Sequence, residues 1–342
     1  MTDVRHDTDA SEGLGAGKPA STPATEGSGA EPRPVGGPAV PRDPRYLALR
    51  NFAIALTVFN ILGYTVLGFE QPWTWPLFAL AVGYSTEITI ELISAWAARR
   101  PVAWRGKGFR AFYIFLLPAH ITSLATSLLL YTNDRFAPVA FGVVVALGAK
   151  TVLRAPIAGR MRHFMNPSNF GISVTLLVFP AWVGLAPPYH FTEEIPDVFR
   201  LMIPMVILTA GTVLNAKLTG KTPLIVGWAG SFAIQAIVRH VVWDVALWSA
   251  LSVMTGVAFV LFTNYMITDP ATTPRSGWAQ FLFGSAVGTV YGVLLLFNVV
   301  FTLFFALSIV CAGRGLYWWG RWCVDRLRRD RSVAPLVEPV TT

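Results

Sequence analysis

The chain has 342 residues, 54% hydrophobic and only 13% charged, with a formal net charge of +8. A typical soluble domain carries about 25% charged residues, so the composition excludes an ordinary soluble domain and points to a membrane protein. The cationic excess calls for no nucleic acid, because Lys and Arg gather in cytoplasmic loops that face anionic lipid headgroups.

Residues 1–45 are mainly Gly, Pro, Ala, Ser and Thr with scattered charges, too little apolar surface to offset the entropy of ordering them. A disordered cytoplasmic tail is expected. It contains no apolar h-region, so the expectation is no cleavable signal peptide, with the first transmembrane helix directing insertion. Residues 46–313 form the expected transmembrane domain. Apolar windows fall near 52–68, 73–96, 112–131, 136–153, 170–186, 201–215, 222–238, 246–267, 279–297 and 299–313. Such windows suit helices crossing roughly 30 Å of hydrocarbon, giving an all-α polytopic fold of about ten transmembrane helices. The charge-free run 281–313 would be about 50 Å long as one helix, so a turn is expected at Asn298. Residues 314–342 form a basic cytoplasmic C-terminal tail whose Tyr317, Trp318, Trp319 and Trp322 fit an interfacial aromatic belt.

With ten spans and a cytoplasmic N-terminus, 24 of the 27 Lys and Arg residues fall inside; Arg135, Arg200 and Arg239 fall outside. That bias follows the positive-inside rule and puts both termini in the cytoplasm of a plasma-membrane protein. Two halves of five spans would be related by inversion, an arrangement common among transporters. A short echo accompanies it: Leu130-Tyr131-Thr132-Asn133 ends the third span and Leu261-Phe262-Thr263-Asn264 the eighth.

Glu87, Glu91 and His120 are the candidate functional polar residues inside spans. Glu87 and Glu91 share one helix face at i and i+4, and a charge there costs at least about 2.5 kcal/mol on insertion scales, so it usually faces a cavity, a partner or a proton route. Glu91 also lies within snorkelling reach of Arg99 and Arg100. His120, near Pro118, reads either as a relay or ligand or as a packed, hydrogen-bonded side chain. The cysteines, Cys311 and Cys323, form neither a disulfide framework nor a CxxC motif, and no metal site is expected.

Two polar elements interrupt the apolar pattern. Asn166-Pro167-Ser168-Asn169-Phe170-Gly171 is a helix entry, with Asn166 as cap and Pro167 in the first turn. Arg160, Arg162 and His163 precede it, and a helix N-terminus among cations is a setting for anions; it reads equally as a capped helix after positive-inside arginines. Thr268-Asp269-Pro270, followed by Thr272, Thr273 and Pro274, is a rigid polar turn, suited either to a ligand's polar edge or simply to ending one helix and starting the next.

These elements, with Phe179-Pro180 and Phe283-Gly284, resemble the RnfD/NqrB family, membrane subunits of ion-pumping redox complexes. Over nearly the whole chain beyond the tail, LLPAHITSLATSLLLYTND, MNPSNFG, LAPPYHFTE, LNAKLTGK and TDPATTP look like the UnbU-type membrane proteins of enediyne antibiotic gene clusters. The resemblance implies a cofactor-holding role for Asn166, Pro167, Asn169, Gly171, Thr268, Asp269, Thr272 and Thr273. RnfD and NqrB attach FMN to the last threonine of an S-G-A-T-like motif, expected here after Phe179-Pro180. Thr192 is the only threonine in that loop, in unsuitable surroundings, so covalent FMN is expected to be absent and a non-covalent FMN or riboflavin is left open.

Three functions remain open: electron transfer in enediyne biosynthesis, alone or with other membrane or redox subunits; movement of a small molecule or ion, as in product export or self-resistance; and anchoring. No P-loop, Ser-His-Asp arrangement or CxxCH motif is present.

Overall fold

A computed structural model of the protein describes residues 44–185, 196, 202–213 and 220–333. The expected N-terminal tail through residue 43, the loop segment carrying Thr192, and residues 334–342 lie outside the described residues. The described elements run α1 (Pro44–Thr65), α2 (Thr74–Ala97), α3 (Gly108–Leu129), β1 (Leu130–Tyr131), α4 (Phe136–Val152), β2 (Arg154–Ile157), β3 (Arg160–His163), α5 (Pro167–Val178) and β4 (Gly184–Leu185). They continue as α6 (Met202–Val213), α7 (Thr222–Trp243), α8 (Leu247–Ser252), a 3-10 turn (Val253–Thr255), α9 (Val257–Leu261), a π turn (Phe262–Met266), α10 (Gly277–Leu296) and α11 (Thr302–Val333).

The fold is mostly helical. Among the described residues, five helices are long and apolar enough to cross a lipid bilayer: α2, α3, α7, α10 and Thr302–Arg329 of α11. The segment 247–266, bent by 62°, makes a sixth if its two arms are one span. A helical segment lies in each of the ten expected windows, but several differ from a simple crossing. At 12 residues, α5 is about 18 Å long, well short of roughly 30 Å of hydrocarbon. The window 170–186 overshoots α5 because Pro180 disfavours helical backbone at Phe179, which sits at φ −120°, ψ 49°. The chain then turns to β4, which pairs antiparallel with β1.

The charge-free run does break at Asn298, whose φ of 55° is a left-handed value that Asn tolerates better than most residues. The helix does not stop at position 313: α11 runs unbroken from Thr302 to Val333, so the expected tail begins as a continuation of the last helix. The sequence echo does not extend to the backbone, since Leu130–Tyr131 is extended and Phe262–Met266 is a π turn. The arginine-rich stretch before Asn166 forms a tight hairpin, β2 against β3, turned by Ala158 and Gly159 at φ 51° and 77°. Consecutive positive φ values are what a twisted two-residue hairpin loop requires.

Close helix approach builds the core. Gly284, Gly288 and Gly292 recur every fourth residue on α10 and face α7. A Cβ at Gly284 would collide with the Leu224 carbonyl, one at Gly227 with the Phe281 carbonyl, and one at Gly288 would lie 2.7 Å from Ser231. Small residues at this spacing let membrane helices approach backbone to backbone, where lipid supplies no hydrophobic drive for association. Gly171 does the same for α5 against Gly142 of α4. Beside the α7–α10 seam, Trp228 packs among Phe232, Phe259, Phe262 and Tyr291 and donates its indole N–H to the Thr263 hydroxyl at 2.9 Å.

The seam is testable by volume. Gly284→Val is expected to lower the melting temperature and the monodisperse yield in detergent, whereas Gly230→Ala, on the same pair but with open space at its Cβ, should leave both unchanged. Equal behaviour of the two variants would remove the close-approach account.

Candidate functional site

The Asn-Pro element reaches the π turn that leads into the Thr-Asp-Pro element, about a hundred residues away in the chain. Asn166 caps α5 by accepting the Asn169 N–H at 3.0 Å. Its side-chain amide donates to the Met266 carbonyl at 2.9 Å. That carbonyl closes the π turn Phe262–Met266, where wider winding takes backbone groups out of the α-helical ladder. Pro167 starts α5, where its missing N–H costs nothing. Asn169, a turn deeper, donates to the Phe304 carbonyl and the Ser308 hydroxyl, both at 2.9 Å, joining α5 to α11. Gly171 lies at the α4 contact already described, so within this motif Asn166 faces the loop and Asn169 and Gly171 face helices.

The Thr-Asp-Pro turn is braced from within. Both carboxylate oxygens of Asp269 are engaged, one by the Ala271 N–H at 3.1 Å and the other by the Thr272 hydroxyl at 2.8 Å. The Thr273 hydroxyl donates to the Asp269 carbonyl at 2.6 Å, and that of Thr268 to the Asn264 carbonyl at 2.6 Å. Asp269 thus occupies the bracing role.

Two further residues, not singled out by motif, grip the same loop. Lys221, just before α7, donates to the Pro274 carbonyl at 2.8 Å, and Arg314 of α11 donates to the Thr272 carbonyl at 2.5 Å. Burial lowers the Lys221 amine to about 8; Asp269 opposes that shift and Arg314 and Arg275 add to it. Three cations therefore surround one carboxylate that is already bonded to its own turn, and the cluster carries unbalanced positive charge. In sequence, Lys221 and Arg314 read only as positive-inside charge; the usable signal was their position immediately beside apolar runs.

The intramembrane polar residues lie elsewhere, in three separate arrangements. Glu87 of α2 accepts from Lys150, in the last turn of α4, at 2.6 Å. The Glu87 side chain is 9% exposed, and its second oxygen is buried without a partner. Lys150 is thus a helix residue turned inward, whereas the loop charge tally placed it on the cytoplasmic side. Glu91 instead takes both guanidinium nitrogens of Arg100, at 2.6 and 2.9 Å, and the Ala103 N–H at 2.8 Å, fixing the loop after α2. His120 bridges three helices: Tyr84 to one ring nitrogen at 2.6 Å and Thr57 to the other at 2.8 Å. The Thr57 hydroxyl already has the Ala53 carbonyl as acceptor at 2.8 Å. His120 Nε2 therefore donates to Thr57, and Nδ1 accepts from Tyr84. Both nitrogens are satisfied in the neutral ring, as in a packed structural histidine.

The buried pair makes a prediction by asymmetry. Glu87→Leu strands Lys150 and is expected to cost on the order of 3–5 kcal/mol, while Glu87→Leu with Lys150→Met should recover most of it; stability titrations in mixed micelles would measure both. If the double variant is no more stable than the single, the pair is not the source of the loss.

Lys221 makes a prediction by pH. Its folded value of about 8 lies below the ordinary 10.5, so between those values the unfolded chain holds a proton the folded chain has released. Stability from this group therefore rises with pH across that window. The neutral amine can still donate to Pro274, so the loop contact survives. Melting temperature followed from pH 8 upward should rise more in the parent than in Lys221→Met, and parallel curves would refute the shift.

No protein-family model matches the chain, and a search of curated proteins finds no match.

Proposed function

We propose that this protein is a ten-crossing plasma-membrane component of an enediyne biosynthesis pathway, with both termini cytoplasmic, that carries electrons in the manner of RnfD and NqrB through a non-covalent flavin. The observation that carries the reading is the bond from Asn166 to the Met266 carbonyl, just before the Thr-Asp-Pro turn, beside cations that outnumber the Asp269 carboxylate. Lys221 and Arg314, which donate to neutral carbonyls, suit a phosphate, to which both residue types bind strongly. The side-chain oxygen of Asn169 is buried without a donor and suits a ligand N–H. The residues thus fit FMN better than riboflavin, which has no phosphate.

When bound, the flavin would supply one- and two-electron transfer. Lys221 and Arg314 would hold its phosphate, the braced Asp269 turn would keep their carbonyl anchors in place, and the α5 N-terminus would add its positive dipole end.

A second reading, ion or small-molecule movement without a redox cofactor, is favoured by the buried Glu87–Lys150 pair. Paired charges inside a membrane protein commonly mark an ion or proton route.

Protein purified from its native host is expected to show flavin absorbance and to release FMN on denaturation, leaving no fluorescent band in a denaturing gel. Folded Lys221→Met with Arg314→Gln should lose the flavin. A colourless parent protein that still complements a pathway deletion, with complementation abolished by Glu87→Gln, would replace the redox reading with the transport one.

A further inference from the structure

A groove of about 780 Å³ lies between the β2–β3 hairpin and the distal part of α11, away from the Asn166–Met266 junction. Arg160 from the hairpin and Arg321 and Arg326 from α11 line it, with Arg329 beside them, and among the described lining residues the carboxylate is that of Asp325. That carboxylate is 4.0 Å from Arg321 Nε, so even with this contact the groove keeps a surplus of positive charge. Guanidinium groups match phosphate oxygens in pairs and are less strongly hydrated than ammonium, which suits them to a half-wet site.

Trp318 and Trp322 line the same groove. Arg321 lies over the Trp318 ring at 5.8 Å and Arg326 over the Trp322 ring at 5.2 Å, so the cations are stacked on the aromatic wall. Indole rings settle where hydrocarbon meets water. Along α11, Trp318 is six residues past Ala312, at the end of the apolar run, which is about 9 Å at 1.5 Å per residue. That depth is comparable to a headgroup layer of roughly 5–8 Å per leaflet. The two walls are fixed to each other: the Trp319 indole donates to the Arg154 carbonyl at 3.0 Å, and Arg154 donates across the hairpin to the Met161 carbonyl at 2.8 Å. Closer to the membrane, Gly315 lets α11 lie directly against the Phe164 ring.

We propose that this groove binds the headgroup phosphate of an anionic phospholipid from the leaflet at that end of α11. The lipid's acyl chains would run back along the apolar part of the helix while its phosphate sits between Arg160 and the α11 arginines. Phosphatidylglycerol would bind and the zwitterionic phosphatidylcholine, whose choline adds a cation to a cationic groove, would not. The site is independent of whether the protein holds a flavin.

The test uses the full-length protein in neutral detergent with added phosphatidylglycerol or phosphatidylcholine, and lipid retention read by native mass spectrometry. Phosphatidylglycerol is expected to be retained about thirtyfold better, the scale that two interfacial arginines supply at about 1 kcal/mol each. Arg321→Gln with Arg326→Gln should abolish the preference, and Arg99→Gln with Arg105→Gln, equal in charge and outside the groove, should preserve it. Should the first pair fail to fold, Arg160→Gln on the opposite wall is expected to reduce the preference about threefold. No preference in the parent, or an equal loss in both double variants, overturns the proposal in favour of diffuse charge. Displacement of phosphatidylglycerol by millimolar inorganic phosphate overturns the lipid as occupant in favour of a soluble anion.

Discussion

Hydrocarbon donates and accepts no hydrogen bonds, so every polar group that a chain carries into a bilayer must find its partner within the protein. Much of the side-chain chemistry here follows from that constraint. Thr57, Thr65, Thr86, Thr126 and Thr175 each turn their hydroxyl back to the carbonyl four residues earlier, the local solution open to a hydroxyl on a helix. Several larger polar groups are paired across helices instead: Glu87 with Lys150, His120 with Tyr84 and Thr57, Asn169 with Ser308. Each such pair also fixes which helices are neighbours. The polar residues thereby act as addresses within a core whose apolar side chains are otherwise nearly interchangeable.

The same constraint bears hardest where the backbone departs from α-helix. Around residues 262–276 the chain passes through a π turn and then a polar loop, and several carbonyls lose helical donors. Met266 receives Asn166, Thr272 receives Arg314 and Pro274 receives Lys221. Donors from α5, α11 and the start of α7 therefore converge on one irregular segment. Two of the three donors are cations, so a demand for hydrogen bonds has concentrated positive charge at a single place. A ligand site can emerge from this without any residue being devoted solely to binding.

How much of this was legible depended on the range of the signal. The positions of the helical segments were legible, because each apolar run is bounded by local charge or by Pro and Gly. The turn at Asn298 followed from length alone. The cap at Asn166 and the bracing alternative for Asp269 were legible because caps and tight turns are settled within four residues. The partners of Lys150 and Arg314 were not legible, for the opposite reason. A charge at the end of an apolar run has the same local sequence whether it points to water or folds inward, and only the partner helix decides. The α7–α10 seam was written plainly in Gly284, Gly288 and Gly292, but its consequence depends on which helix lies opposite. The β2–β3 hairpin carries no alternation and turns on Ala-Gly, which is weaker than Asn-Gly as a turn signal.

Bracing and binding at the Asp269 loop draw on the same cations, which gives the proposed site a coupling that a purpose-built pocket would lack. Lys221 and Arg314 each satisfy a neutral carbonyl, and a bond from a cation to an anion is roughly twice as strong as one between neutral partners. A phosphate reaching either residue would therefore compete well for it, and the carbonyl it displaced would need a new donor or would have to move. Binding would then shift the loop between a form held by protein contacts and a form held by ligand, in proportion to the difference in affinity for the two. The internal bonds of Asp269 would keep the turn intact through that exchange, since neither carboxylate oxygen depends on the cations. In this reading Asp269 preserves the shape of the loop, the cations report what occupies it, and Asn166 ties the result to α5, from which it reaches α11 through Asn169.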